Sequence, residues 1–397
     1  MRILFAHNRY RNLGGEDLAA QVEMELLARH GHATELFEAD NTDLVGIGGN
    51  AKAALGAVYS PVARKKFAAR LQSFRPDVVQ VFNFFPLLSP SIHYACREAA
   101  VPVVQKISNF RLICPGALLM RDDNVCEDCI GKLVPWPAIR HACYRESRAG
   151  TAVVAAMLAA HRLLGTWEKT VDAYIARTQF SRNKLIEGGL PAEKIAIVPS
   201  FAPDPGKTSG GDGDFALFAG RLSVEKGITT LLTAWNRLHR SRLRLKVAGD
   251  GPLAPEVVRQ AGRSRVEYLG ELPRQDIQAL LRSAAVLIYP SICYENFPLS
   301  IVEAFASGVP VVASGMGAMA EIIDDGRTGL HFRPGDPEDL AAKIEWVEHH
   351  PAAMAGMRRE ARAEYLSRYT PKHNYGMLVH LYERVLCARG SFAGSFS

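Results

Sequence analysis

The stretch FALFAGRLSVEKGITTLL (215–232) decides the fold. A run of apolar residues, Phe215 to Ala219, stops at Gly220. A polar turn follows, and from Gly227 the apolar residues recur at helical spacing through GITTLLTAWNRLH. The segment therefore reads as strand, turn, helix. Arg221 leaves the end of the strand, and Lys226 stands directly before Gly227 where the helix begins. Both cations fall at the carboxyl edge of a sheet, where open α/β sheets bind ligands. Together with a helix N-terminus they suit a diphosphate, above all one that gains charge as it departs. The plainer alternative is a solvated surface cluster of Arg221, Glu225 and Lys226.

The same alternation continues in both directions. Strand-like runs occur at 2–7, 33–39, 77–83, 101–107, 172–177 and 194–200, and again at 215–221, 244–251, 265–270, 284–290, 309–315 and 329–334. Val- and Ile-rich runs separated by amphipathic stretches argue for parallel sheets buried on both faces, joined by right-handed crossovers. Between the two sets lies SFAPDPGKTSGGDGD (200–214), rich in Pro, Gly, Ser and Asp and without apolar periodicity. The expectation is an α/β protein of two Rossmann-like doubly wound domains facing across a cleft. Residues 1–200 form the first, 201–214 a linker, 215–370 the second, and 371–397 a final helix that crosses back to the first domain.

Composition sets wider bounds. At 397 residues, 48% hydrophobic and 22% charged, the chain matches a globular protein with room for two cores. Its formal charge of +6 accommodates an anionic small molecule or membrane surface. No RNP, KH or zinc-finger pattern and no long Lys/Arg run points to nucleic acid. MRILFAHNRY reads as a first strand rather than a signal peptide, and no segment has the roughly 18–20 apolar residues of a membrane span. Seven cysteines without a leader point to a reducing cytosol.

CYENFPLSIVEAFASGVPVV (293–312) carries two carboxylates, Glu295 before a helical segment and Glu303 inside it. Pro298 suits the first turn. At ~1.5 Å per residue the two acids stand about 10–12 Å apart, too far to share a proton or a metal. That spacing fits a ligand lying along the helix start, with phosphate at the free N–H groups and sugar hydroxyls on Glu303. In isolation the two acids read equally as ordinary surface residues. VAGDGP (247–252) closes another strand with two glycines that let backbone approach a ligand, and YLGELPRQDI (268–277) makes a further strand-to-helix turn.

GRLSVEKG, AGDGP, YLGEL and ENFPLSIVE, in this order, resemble the family 4 glycosyltransferases, retaining enzymes of the two-domain GT-B fold. The resemblance covers essentially the second half of the chain. It implies a nucleotide-diphosphate-sugar donor bound there, with Arg221 and Lys226 on the diphosphate and Glu295 on the sugar hydroxyls. Asn296, Phe297, Pro298 and Leu299 would lie near sugar and phosphate, Glu303 on the ribose, Gly249 close to the ligand, and the base near Gly270–Leu272. It implies no catalytic metal. QVFNFFPLLSPSIHYAC (80–96) is similar to the branch that builds surface polysaccharides and glycans, and implies a glycan or lipid-linked acceptor. That branch carries His at the positions of Gln80, Phe82 and Ser108, so this chain departs from it there. In the first half, Gly14 and Gly15 open a helix after the first strand, and the resemblance turns that loop toward the donor phosphates.

Two further stretches stand apart. Cys114, Cys126, Cys129 and Cys143 give C-x11-C-x2-C-x13-C, with His141 as an alternative ligand. The readings are a structural Zn²⁺, less readily an iron–sulfur cluster, or four free thiols. RKKFAARLQSFR (64–75) is a basic helix with an apolar stripe, either a peripheral contact to an anionic membrane at its cytoplasmic face or a surface helix with the stripe in the core. The functional expectation is sugar transfer from a nucleotide sugar to a hydroxyl acceptor. A nucleotide-sugar 2-epimerase and a non-catalytic sugar-nucleotide-binding protein are the alternatives.

Overall fold

The computed structural model describes residues 1–9, 15–40, 56–206, 208, 210, 213–239, 241–262 and 265–390. They fall into two units. One gathers the described parts of 1–119 and 126–198 together with the chain from Tyr375 onward; the other gathers 120–125 and 199–374.

In the first unit the strands β1 (Arg2–Arg9), β2 (Ala33–Asp40), β3 (Val78–Asn83) and β4 (Val103–Lys106) form one sheet with two later strands. Next in chain order comes a hairpin of two short strands, β5 (Met120–Arg121) and β6 (Asn124–Val125), which is grouped with the second unit. The sheet is completed by β7 (Ala173–Ala176) and β8 (Ile195–Ile197) in the order β2-β1-β3-β4-β7-β8, every pair parallel. Helix α1 (Gly15–Arg29) supplies Ala20 and Leu27 to the core beside Ile3, Phe5, Val78, Val104 and Ile175. Glu16 and Asp17 occupy its first turn, as the helix dipole favours.

The second sheet is built from β9 (Phe215–Ala219), β10 (Arg244–Ala248), β11 (Val266–Gly270), β12 (Val286–Tyr289), β13 (Val311–Ser314) and β14 (Gly329–Phe332). Its order is β11-β10-β9-β12-β13-β14, all parallel. Side chains alternate between two cores, as the period of two in a strand requires. Ala216, Phe218, Leu245, Val247, Val286 and Ile288 face one, while Phe215, Leu217, Leu287, Tyr289 and Val311 face the other. Burial on both faces accounts for the unbroken apolar runs in the sequence. The strand order reverses between β9 and β12, the position where doubly wound sheets open a crevice at their carboxyl edge.

Part of the expected linker is not free chain. Ala202 is buried in the second unit's core, its carbonyl accepts the Tyr365 hydroxyl at 2.9 Å, and Asp204 pairs with Arg362 at 2.8 Å. The final helix runs Pro371–Ala388, and Leu378, Leu381, Tyr382 and Val385 pack in the first unit's core. The basic helix at Pro61–Phe74 buries Ala63, Phe67 and Leu71, and Phe67 meets Phe37 edge-on at 5.0 Å. Its apolar stripe is thus consumed inside the protein. No helix among the described residues is long and apolar enough to cross a membrane.

Candidate active site

The chemistry of the second unit concentrates where its strand order reverses. After β9 the chain turns through Arg221–Lys226 into α2 (Ile228–Arg237). After β12 it runs through Ser291–Pro298 into α4 (Leu299–Ala306), with α3 (Arg274–Ser283) between them in sequence. Gly227 locks the two loops together. It has φ 71°, and a Cβ there would lie 1.9 Å from the carbonyl oxygen of Pro290. Only glycine fits a left-handed position that close to another backbone. The amide of Ile292 also donates to the Glu225 carbonyl at 3.0 Å.

This seam brings Lys226 onto Glu295. Nζ lies 2.6 Å from Oε1, and the Ser291 hydroxyl donates to the same oxygen at 2.7 Å. The Tyr289 hydroxyl stands 3.4 Å from Nζ. Burial pushes the Lys226 ammonium down, but Glu295 and Tyr289 outweigh it and hold the lysine well above its ordinary value. Burial pushes the Glu295 carboxyl up, and the charge and hydrogen bond of Lys226, with the Ser291 bond, bring it below the usual range. The site therefore keeps a fixed ammonium beside a carboxylate that only accepts hydrogen bonds. The Lys226 side chain is one-quarter exposed and so open to solvent. Arg221 is exposed and forms no ion pair among the described residues.

Glu303, one turn into α4, pairs with Arg274 at 2.8 Å. Here burial prevails over Arg274, and the Glu303 carboxyl sits above its ordinary value. Arg274 was not foreseen. A basic residue in the first turn of a helix opposes the dipole, and that was the readable signal. Tyr289 and Ser291, which orient the Lys226–Glu295 pair, were missed as well, because an apolar strand end carries no mark of a ligand role.

The other loops line up beside this pair. A Cβ on Gly249 would lie 1.9 Å from the Gly220 carbonyl oxygen, and Leu222 donates to Asp250 at 2.9 Å, so the loops after β9 and β10 stack backbone on backbone. The Gly249 amide continues to the Gly270 carbonyl at 2.7 Å, which brings up the loop that holds the half-buried Leu272. Two expectations need correction. Phe297 is buried in the core against Tyr369, so only its backbone can face a ligand. Pro298 occupies the position ahead of α4 rather than its first turn, and it has no N–H to offer. The amides of Leu299 and Ser300 open α4, and no side chain caps this helix or α2. Asn296 is buried next to them.

In the first unit, Gly14 lies outside the described residues, and Gly15 is the first residue of α1. Ser108, at the carboxyl edge of β4, accepts a 2.6 Å hydrogen bond from Arg177. Gln80 and Phe82, the other departures from the resemblance, are structural. Gln80 joins Glu23 and Tyr382 in a buried network that includes the Lys106–Glu23 ion pair. Phe82 stacks on Phe5 at 5.7 Å.

No group of three or more His, Cys, Asp or Glu side chains among the described residues is arranged to hold a metal ion, and Cys114, Cys126, Cys129 and Cys143 are not disulfide-bonded. They share a neighbourhood all the same. Burial, with Cys114, Cys143 and Cys126 nearby, pushes the Cys129 thiol up to about 11.

Residues 214–349 match the family profile of the glycosyl transferases group 1. The matched segment spans β9 to the helix after β14 and contains every loop described above for the second unit. The chain is 36% identical over 157 residues to a glycogen synthase of Mycobacterium tuberculosis, covering 38% of each protein. It thus spans less than half the length of that curated relative. Two solved structures extend the likeness to the whole chain. Anabaena HepE in complex with UDP-glucose has a TM-score of 0.68 at 20% identity, covering 99% of this chain and 100% of that one. Sucrose-phosphate synthase from Thermosynechococcus elongatus has a TM-score of 0.72 at 17% identity, covering 98% and 99%. The fold is GT-B.

Proposed function

We propose that this chain is a retaining glycosyltransferase of the family 4 type, moving a sugar from a nucleotide-diphosphate sugar to a hydroxyl on a growing or lipid-linked surface glycan at the cytoplasmic face of a membrane. The observation that carries the reading is the Lys226–Glu295 pair at 2.6 Å, set where the second sheet reverses its strand order. Arg221, Lys226 and the first amides of α4 take the diphosphate. Glu295 accepts from the sugar hydroxyls and Glu303 from the ribose, with the base toward Gly270–Leu272. The known binding of UDP-glucose by HepE supports a nucleotide sugar as donor.

The reaction follows from these charges. The bond from the anomeric carbon to the diphosphate oxygen breaks, and the acceptor oxygen bonds to the same face of that carbon. The acceptor proton passes to the departing diphosphate oxygen, so no protein nucleophile is needed and configuration is retained. Arg221 and Lys226 stabilise the charge that builds on the leaving group. Incubation with a panel of nucleotide sugars, read by mass spectrometry, tests the proposal. Nucleoside diphosphate released only when a glycan acceptor is present is the expected result. Binding without turnover, or sugar isomerisation without acceptor, defeats it.

A further inference from the structure

Resting on the donor reading above for the ribose, we infer that Arg274 is a positioning residue of that site. It fixes the Glu303 carboxylate toward the ribose diol, and so makes the second unit select ribonucleotides over deoxyribonucleotides.

Helix α3 directs this side chain inward. Its apolar residues Ile277, Leu280 and Leu281 pack into the core that also holds Ile301, Val302 and Phe305 of α4. Arg274 precedes Ile277 by three positions and Leu281 by seven, so it continues the same stripe at the first turn of the helix. There it meets α4. Nη2 donates to the Glu303 Oε1 at 2.8 Å, with the two side chains 30% and 15% exposed. The turn leading into Arg274 is braced, because the Gly249 amide donates to the Gly270 carbonyl at 2.7 Å.

Stability does not account for the pair. A cation in the first turn of α3 opposes that helix's dipole. The Arg274 Nε is buried without a partner. For Glu303, burial outweighs the arginine and holds the carboxyl above its ordinary value. Both members carry a cost of burial that their attraction does not remove, and well-packed apolar residues fill such positions at least as well. What the pair supplies is orientation. A guanidinium is a rigid planar fork, and a carboxylate bonded to it is held in a defined plane. With Nη2 on Oε1, the second oxygen, Oε2, takes no hydrogen bond among the described residues. A vicinal diol brings two hydroxyl donors on adjacent carbons, and it pairs fully only with a carboxylate whose acceptors are already in place. A sugar lacking one hydroxyl forfeits part of this gain.

The test titrates the full chain by calorimetry with uridine, guanosine and adenosine diphosphate. The one that wild type binds most tightly is then compared with its 2′-deoxy counterpart. Wild type is expected to prefer the ribonucleotide about three- to tenfold, the worth of one hydrogen bond. Arg274→Met is expected to lose most of that preference: the ribonucleotide weakens by about the same factor, the deoxynucleotide by less than about twofold, and Tm holds. Arg274→Lys keeps the charge without the fork, guards against a folding failure and is expected to restore part of the preference. Glu303→Gln combined with Arg274→Met weakens the ribonucleotide little further than either alone, since the two act as a unit. A preference in Arg274→Met equal to that of wild type, or equal weakening of both nucleotides with a lower Tm, makes the arginine structural and overturns the inference. Wild type that binds both nucleotides alike overturns it too, while the diphosphate part of the donor reading stands. If none of the three nucleoside diphosphates binds, the donor reading falls and takes this inference with it.

Discussion

At the carboxyl edge of the second sheet the charges come as pairs that a ligand can reach; at that of the first they are sealed beneath the surface. Lys226 and Glu295 are one-quarter and 13% exposed, Lys106 and Glu23 only 1% each. The first pair is placed by a glycine seam between neighbouring loops. The second ties α1 to β4 and, through Gln80 and Tyr382, to the last helix. One arrangement leaves its pair open to exchange of partners; the other holds elements together. Breaking each pair should therefore cost different things.

The largest effect belongs to the sealed pair. Glu23→Ala leaves the Lys106 ammonium buried without its partner and is expected to destabilise the first unit by about 3–5 kcal/mol. Urea unfolding, followed by hydrogen exchange in each unit separately, checks this. Loss confined to the second unit contradicts it, and the double variant Glu23→Leu with Lys106→Met should recover most of the loss. Lys226→Ala sets the contrast. It is expected to lower sugar transfer about 10²–10³-fold, about 2.7–4 kcal/mol in the barrier, with little change in unfolding. Steady-state turnover alongside thermal unfolding reads both, and wild-type turnover in Lys226→Ala and Arg221→Ala together would remove the proposed diphosphate site.

The two regions also differ in how much of them the sequence discloses. In the second unit each loop is short, so its chemistry lies within a few residues of a strand end: Arg221 to Gly227, Glu295 to Glu303. Strand periodicity and glycine position were enough to place both loops at the carboxyl edge of the sheet. Arg274 escaped because its partner is 29 residues away. In the first unit the decisive contacts join residues 69 to 302 positions apart, Arg177 with Ser108 and Tyr382 with Gln80, and no local pattern announces them. Ser108 read as a loss of charge relative to the resemblance, yet the fold brings an arginine to its hydroxyl. For the cysteines, spacing was legible but convergence was not, since a C-x2-C says nothing of where Cys114 and Cys143 point. Ala202 sits in a Pro/Gly-rich stretch that reads as linker, and only the tertiary contacts of the helix Pro351–Arg368 draw it into a core.

Gly227→Ala sharpens the claim that a backbone seam places the accessible pair. The left-handed backbone alone costs about 1–2 kcal/mol with a Cβ, and that atom would collide with the Pro290 carbonyl. The loop must move, carrying Lys226 from Glu295. Donor affinity, measured by calorimetry, is expected to fall about tenfold or more, because small misplacements of a positioning group are expensive. Unchanged affinity would mean that the seam does not set the pair's geometry.

The smallest effect separates the two acids of α4's neighbourhood by pH. Glu295 is held below the usual carboxylate range and Glu303 above it, so on acidification Glu303 takes up a proton first. Because the folded protein holds that proton more tightly than the unfolded chain, Glu303 favours folding most below the ordinary glutamate range and loses this contribution as pH rises through its folded value. Binding runs the other way. Only the ionised carboxylate accepts from both ribose hydroxyls, so donor affinity is expected to weaken as pH falls through the interval above the ordinary glutamate value, while Glu295 is still charged. Glu303→Gln should weaken the donor about three- to tenfold at neutral pH and flatten that limb of the profile. A variant whose affinity keeps the wild-type slope would assign the titration to another group and free Glu303 of its role at the ribose.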